Sequence, residues 1–426
     1  MLDRLFALET FGIKLGLDNI SLLCEALGHP ERAFASLHVA GTNGKGSVTA
    51  MAHAGLVAAG VRAARFISPH LVELSERFVI GDAPVSREAL HDAAEQVLDC
   101  ADRLMAAGRL PVHPTFFEAT TAIAFELFRR AEVEVAVIEV GLGGRYDSTN
   151  VIAPVAGAIT TIGFDHQQHL GDTLEAIAFE KAGIIKPGMD VVIGAMPANA
   201  RAVIAGVASQ RHARLIDAGT DTGVPGNDER VTIDTAEARY GPLTLALRGH
   251  HQVGNARVAV GLLEAARGRG IVVSKAAIEH GLTHVEWPGR LELIRVESGR
   301  EILLDAAHNV DGARALATYL RAKHPERPAL VLGMMRDKDI DGVLAELLPA
   351  VSSVITTAAA SPRAIPARDL AVRVSAVNAG MPVRVEPDPL SAIEHALSIS
   401  RSTCVAGSIF VVGAVRDALV RRAILR

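Results

Sequence analysis

Short apolar runs rich in Val, Ile and Ala alternate along the chain with longer stretches whose apolar positions recur every three or four residues. The runs predict strands over 36–40, 63–68, 133–140, 155–162 and 190–194, and the longer stretches predict helices over 46–59, 88–107, 120–130 and 173–183. Strand and helix taking turns in this way is the signature of an α/β fold with a mostly parallel, doubly wound sheet. A polar, loop-rich stretch at 218–238 and a helix over 252–266 follow. The segment 283–290, THVEWPGR, has a Trp-Pro-Gly turn and neither period, as a linker would. Beyond it the alternation restarts, with strands at 301–305, 329–332, 354–357 and 409–412 and helices at 311–323 and 340–348. The expected organisation is a first domain over 1–284, a linker over 285–291 and a smaller α/β domain over 292–426.

Composition sharpens this picture. At 426 residues, two cores are expected rather than one. Aromatics are 4% and Trp287 is the single tryptophan, so the core must be built from Ala, Val, Leu and Ile, as in parallel sheets. A net charge of -5 creates no field for nucleic acid or an anionic membrane, so any polyanion must be held locally. Three widely spaced cysteines, Cys24, Cys100 and Cys404, suit a reducing compartment. The N-terminal segment lacks a signal-peptide core, and no apolar stretch reaches the roughly 18 residues of a spanning helix. A soluble, cytoplasmic protein is expected.

Candidate chemistry begins at His38-Val-Ala-Gly-Thr-Asn-Gly-Lys-Gly-Ser47, where an apolar strand runs into glycines and a helix follows. Glycines allow backbone N–H groups to turn around an anion, and the helix N-terminus adds its dipole. Lys45 supplies a full positive charge and Ser47 a hydroxyl for a cation. The match to a P-loop is imperfect, because Val39 takes the first glycine position and Gly46 separates Lys45 from Ser47. A plain glycine turn with a solvated lysine is the alternative; strand, glycines, lysine, hydroxyl and helix arriving in order favour a nucleotide site.

Glu139 and Asp165-His166 each close a buried-type strand, at the end where open α/β sheets place their ligands. A carboxylate there suits Mg²⁺, which prefers oxygen donors; a satisfied core glutamate and a structural histidine are the alternatives. Further on, Asp172 and Glu175 have capping-box spacing, and Leu174, Ile177, Ala178, Lys181 and Ile184 share one helical face. Lys181 therefore points among aliphatics. A buried ammonium tends to lose its proton or find a partner, and an uncharged lysine can react with CO₂ to give an anionic carbamate. Snorkelling, or an ion pair with Glu180 or Asp165, is the simpler reading of spacing alone.

Taken together, GTNGKGS (41–47), SPHL (68–71), TFFE (115–118), EVGLGGRYDSTN (139–150), the stretch 165–185 with LGDTLEAIAFEKAGI, GHHQVGNA (249–256), PGRLE (288–292), DAAHN (305–309), GMMRDKD (333–339) and GSIFVVGAV (407–415) resemble the folylpolyglutamate synthase/dihydrofolate synthase family, a branch of the Mur ligase superfamily. The resemblance runs through nearly the whole chain, in order. It implies an N-terminal P-loop Mur-ligase-type ATPase domain and a Rossmann-like C-terminal domain, with the active site in the cleft between them. It also implies that Asn43, Gly44, Lys45, Gly46, Ser47, Asn255, Arg290 and Asp305 contact ATP. Ser68, Glu139, His166 and Lys181, the last as a carbamate, would bind Mg²⁺, which reverses the simpler reading of that lysine. Thr115, Phe116, Phe117, Glu118, Tyr146, Asp147 and Ser148 would line the pterin site, while Lys45, Lys181 and His308 would serve catalysis, with Asn309 beside His308.

By the same resemblance the reaction is addition of L-glutamate to a folate carboxylate through an acyl phosphate, with tetrahydrofolate species as acceptors and dihydropteroate as a further candidate. Lys14 stands where dihydropteroate-using members carry an acidic residue, which favours polyglutamylation; Val310 stands where proline is frequent. A monomer is expected. Two other readings compete. A cell-wall Mur ligase would need a further N-terminal domain, for which only about 35 residues precede the first strand. A non-catalytic nucleotide switch would leave DAAHN and the Glu139, His166 and Lys181 set without a purpose.

Overall fold

A computed structural model describes residues 2–12, 14, 16–219, 230–296 and 299–422. The chain forms two compact units. The first comprises 1–163, 167–246 and 253–285, and the second comprises 164–166, 247–252 and 286–426. The two excursions into the second unit, 164–166 and 247–252, carry no signal in the local sequence pattern.

The first unit is built on eight strands: β1 (Ala35–Ala40), β2 (Ala63–Phe66), β3 (Phe78–Ile80), β4 (Ala83–Pro84), β5 (Val135–Glu139), β6 (Ala156–Ile159), β7 (Asp190–Ile193) and β8 (Arg214–Asp217). They lie in the order β4-β3-β2-β5-β1-β6-β7-β8. All neighbours are parallel except β2–β3 and β3–β4, which form an antiparallel edge. The central strands β1, β5 and β6 are almost wholly buried, as continuous apolar runs in a parallel sheet must be. One apolar cluster packs Phe66 and Ile138 against Leu90, Val97, Ile123 and Phe125, and another packs Ile159, Val191 and Ile193 against Ile177, Ile184 and Ile204. A separate hairpin pairs β9 (Val231–Asp234) with β10 (Arg239–Leu243). Its first strand falls inside the stretch 218–238 expected to be loop and its second just beyond it; residues 220–229 lie outside those described.

The helix after β1, Lys45–Ala58, is apolar nearly all round, with Val48, Ala50, Met51, Ala52 and Leu56 buried. Helix Lys275–His284 lies against it so closely that a Cβ on Gly281 would meet the backbone of Gly55. Contact of backbone with backbone explains why this segment carries no polar face.

The second unit has six strands: β11 (Glu292–Val296), β12 (Arg300–Leu304), β13 (Ala329–Leu332), β14 (Ser353–Thr356), β15 (Val383–Val385) and β16 (Ser402–Ala406), in the order β11-β12-β16-β13-β14-β15. Only the β11–β12 pair is antiparallel. The strand expected at 409–412 is instead the start of helix Ile409–Arg421, and the strand is β16, just before it. Ser408 caps that helix through its hydroxyl, which accepts from the Phe410 N–H; a four-residue apolar run cannot by itself distinguish the two states. The capping box expected at Asp172 and Glu175 is also replaced. Helix Leu174–Ala182 is capped by Thr173, which holds the extended backbone a cap requires and whose hydroxyl accepts from the Ala176 N–H. No helix among the described residues is long and apolar enough to cross a membrane.

Candidate functional site

In the first unit, the C-terminal ends of β1, β5 and β6 converge. The loop after β1 is tied to the exit of β6. Thr42 N–H donates to Thr161 O at 2.8 Å, Asn43 N–H donates to Thr161 Oγ1 at 3.0 Å, and Thr42 Oγ1 donates to Gly163 O at 3.2 Å. Gly44 caps the following helix at φ +86, and a Cβ there would overlap the Asn255 carboxamide. Asn255, expected from resemblance alone to touch ATP, is thus seated on the phosphate loop. The first-turn N–H groups of Lys45, Gly46 and Ser47 have no intrahelical acceptor and open at the loop, as an anion site requires.

Two lysines meet on one carbonyl. Lys45 Nζ donates to Gly41 O at 3.1 Å and Thr42 O at 3.3 Å, and Lys181 Nζ donates to the same Gly41 O at 2.9 Å. Lys181 is 5% exposed, on the buried face of its helix that the periodicity predicts. Glu139 closes β5 in register with Val39, is 5% exposed, and its Oε2 accepts from the Ser68 N–H at 3.4 Å. The Ser68 hydroxyl and Glu139 carboxylate are hard oxygen donors, a set that fits a divalent cation of the Mg²⁺ or Mn²⁺ kind. Among the described residues, no three His, Cys, Asp or Glu side chains cluster as a metal cage by themselves.

Several residues expected at the pterin site have structural duties. Thr115 and Glu118 form a reciprocal capping box at the start of helix Phe116–Arg130. Phe116 stacks on Phe6 at 5.8 Å with the Arg77 guanidinium 5.1 Å from its ring, and Phe117 packs against Phe66 and beneath Gly141. Asp147 is buried: its Oδ2 accepts from Leu142 N–H at 2.8 Å and its Oδ1 from the Thr149 N–H and hydroxyl. Ser148 is buried beside it, whereas the Tyr146 ring is 40% exposed.

Because Thr149 spends its only proton on Asp147, it must accept from His38, whose Nε2 lies 2.8 Å away. Burial, then the Lys186 charge, push His38 down to about 3, so the ring is neutral. Burial raises the Asp147 carboxyl against the hydrogen bonds it accepts. The chain His38–Thr149–Asp147–Leu142 therefore ties the strand that feeds the phosphate loop to the turn after Glu139, an arrangement with no local trace in sequence. Thr149→Val is expected to cost about 1–3 kcal/mol, since it strands the buried His38 Nε2–H and removes one of the hydrogen bonds that Asp147 accepts, and Thr149→Ser is expected to retain most of the stability. Denaturant midpoints of the two variants check this.

In the second unit, four donors surround Asp165. Lys338 Nζ donates to Oδ1 at 2.6 Å and Asn309 Nδ2 to Oδ2 at 3.1 Å, while His308 Nε2 lies 3.6 Å from Oδ2 and His166 Nε2 lies 3.8 Å from Oδ1. Burial pushes this carboxyl up, but the nearby His308 and His166 imidazoles and the Lys338 ammonium outweigh it and hold the group well below the usual carboxylate range. Asp165 also accepts from the N–H of His166, which sits in the left-handed region at φ +53, a conformation that persists only where its surroundings hold it. Asn309 additionally caps helix Val310–Lys323, and His308 Nδ1 faces Ala306 O at 2.9 Å. Asp305 spends both oxygens on backbone N–H groups of Leu291 and Ala307, and Arg290 reaches Gly289 O at 3.0 Å. The sequence reading placed His308 and Asn309 on the glutamate side, put Asp165 with His166 at a strand end and offered it as a partner for Lys181; the lysine it pairs with is Lys338, to which that reading gave no role although the GMMRDKD motif contained it.

The phosphate loop thus lies on one α/β unit, and a largely buried Asn309-Lys338-Asp165 cluster, flanked by the partly exposed His308, lies on the other. Residues 101–263 match the Mur ligase middle domain, and residues 289–414 match the Mur ligase, glutamate ligase domain. The dihydrofolate synthase/folylpolyglutamate synthase of Bacillus subtilis (strain 168) is 33% identical over 421 residues, covering 96% of each chain. Among solved structures, the Mycobacterium tuberculosis folylpolyglutamate synthase complexed with ADP superimposes with a TM-score of 0.89 at 32% identity, covering 100% of this chain and 98% of that one. A bifunctional folylpolyglutamate synthase/dihydrofolate synthase with Mn, AMPPNP and L-glutamate bound gives 0.84 at 30% identity, covering 98% of each. The chain belongs to the folylpolyglutamate synthase/dihydrofolate synthase family.

Proposed function

We propose that this chain is an ATP-dependent ligase that joins the α-amine of L-glutamate to a carboxylate of a folate. The observation that carries the reading is the convergence of Lys45 and Lys181 on Gly41 O, beside Glu139 at the end of the adjacent strand. A carboxylate is a poor electrophile, so the γ-phosphoryl group of ATP is moved onto its oxygen, giving an acyl phosphate and ADP. The amine then attacks the carbonyl carbon and loses a proton, and inorganic phosphate leaves. Lys45 and the loop N–H groups, already in place, neutralise charge on the transferring phosphoryl group. Asn43, Gly44, Gly46, Ser47 and Asn255 seat the nucleotide.

Ser68, Glu139 and Lys181 as a carbamate are assigned to Mg²⁺ as oxygen donors, and His166 is assigned to it as an imidazole. A divalent cation so held supplies Lewis-acid stabilisation of phosphate oxygens. Arg290 and Asp305 are assigned to the nucleotide, and His308 with Asn309 to the glutamate side. Three free, buried cysteines suit a cytoplasmic setting. The test offers tetrahydrofolate species and dihydropteroate in parallel, with ATP, Mg²⁺ and glutamate. ADP release that depends jointly on glutamate and a folate, with products heavier by one glutamyl unit, is the expected result. ADP release indifferent to both would leave only a nucleotide switch. Lys14 predicts that tetrahydrofolate species outperform dihydropteroate.

A further inference from the structure

Strand β6 ends at Ile159, and the next two residues, Thr160 and Thr161, brace the phosphate loop with their side chains. Thr160 is 1% exposed, and its hydroxyl donates to Asn43 O at 2.5 Å. The Thr161 hydroxyl donates to the same oxygen at 3.1 Å. Both lone pairs of one loop carbonyl are thereby spent on hydroxyl groups. The surrounding backbone leaves room for Thr160 and for nothing larger. A Cβ on Gly41 would stand 1.9 Å from the Thr160 hydroxyl oxygen, and one on Gly194 would stand 2.0 Å from the Thr160 carbonyl oxygen. Thr160 is thus wedged between two positions without side chains, while its N–H donates to Ala40 O at 2.9 Å.

The carbonyl held in this way belongs to the peptide that joins Asn43 to Gly44. A trans peptide is planar, so its C=O and N–H point in opposite directions. With Asn43 O turned toward the end of β6, the Gly44 N–H faces away from it and has no acceptor among the described residues. It heads the run of N–H groups that Lys45, Gly46 and Ser47 continue. Local backbone preference does not fix this plane, since Gly44 stands at φ +86 and glycine takes either sign of φ at little cost. The hydroxyls supply the constraint that the glycine lacks.

We infer that Thr160 is a positioning residue: through Asn43 O it fixes the Asn43–Gly44 peptide so that the Gly44 N–H is presented to a phosphate oxygen of a nucleoside triphosphate. The inference rests on the nucleotide part of the ligase reading and adds the residue that sets the loop's donor. Thr161 acts on the same oxygen with a longer bond. A donor held in place before the anion arrives needs no reorganisation when charge must be stabilised, which is what makes a neutral N–H effective against phosphate.

The test uses the full chain and two substitutions that trade hydroxyl against volume. Thr160→Val keeps the shape and removes the proton, whereas Thr160→Ser keeps the proton and removes a methyl group. Calorimetry reads ATP affinity, and ADP release reads KM for ATP and for glutamate. Thr160→Val is expected to weaken ATP about 10-fold and to raise its KM alike, the worth of one hydrogen bond to a charged group, while KM for glutamate stays put. Thr160→Ser is expected to bind ATP as wild type does. Thr161→Val, at a less buried position, is expected to weaken ATP in the same direction, and it carries the test should Thr160→Val fail to fold. A role in packing alone predicts the reverse order, with serine damaging and valine silent. That order, or equal losses for ATP and glutamate, would overturn the inference. Should ADP release ignore glutamate and folate while ATP binding falls in Thr160→Val and holds in Thr160→Ser, the ligase reading fails and the positioning role stands.

Discussion

Lys181→Ala is expected to reduce turnover by about 10²–10³-fold while ATP still binds. The lysine contributes no surface charge that other groups could replace; it is buried, and its nitrogen rests on the carbonyl of the first loop glycine that Lys45 also contacts. Two ammonium groups on one carbonyl repel each other, and a carbamate on Lys181 would replace that repulsion with an anionic oxygen beside Lys45. Lys181→Met fills the same channel without the nitrogen, which separates lost chemistry from a cavity. Nucleotide affinity by calorimetry and ADP release by coupled assay check the pair. Turnover near normal in Lys181→Met would exclude the nitrogen from the mechanism. Depleting bicarbonate should lower wild-type activity and leave both variants unmoved.

Asp165→Ala should be the most damaging change in the second unit. Lys338 and Asp165 have side chains only 9% and 10% exposed, so removing the acid leaves a buried ammonium unpaired at a cost of about 3–5 kcal/mol. Lys338→Met in the same background removes the stranded charge and should restore much of that stability, a non-additivity that denaturant unfolding measures directly. Activity should not return with it. Without the carboxylate, His308 and Asn309 lose a common anchor and the left-handed His166 loses the acceptor for its N–H. A double variant that regained both stability and turnover would reduce Asp165 to packing.

What the sequence made legible was whatever repeats over a few residues. The central strands and the phosphate-loop helix were readable because burial imposes a period, and Lys181 was placed on its buried face by the same counting. The helix at 409–421 was misread because four apolar residues satisfy either period, and β16, with Ser and Thr at its start, gave too weak a run to compete. The Asp165–Lys338 bond joins residues 173 apart, and the His38–Thr149 bond joins residues 111 apart. Neither pair has a local pattern to betray it, because a side-chain pair needs only proximity, which topology alone supplies. Resemblance assigned Asp147 and Glu118 to a ligand; atomic contacts add a second duty that no local pattern announces, since both acids also hold their own turns.

The Asn255 carboxamide resting on Gly44 has a consequence for anyone seeking to re-engineer nucleotide preference. Position 44 combines a backbone angle that disfavours side chains with a neighbour that leaves no room for a methyl group. Libraries that randomise the loop would therefore return mostly unfolded or inert clones, whereas substitutions at 255, on a long and well-packed helix, can reshape the same wall from outside.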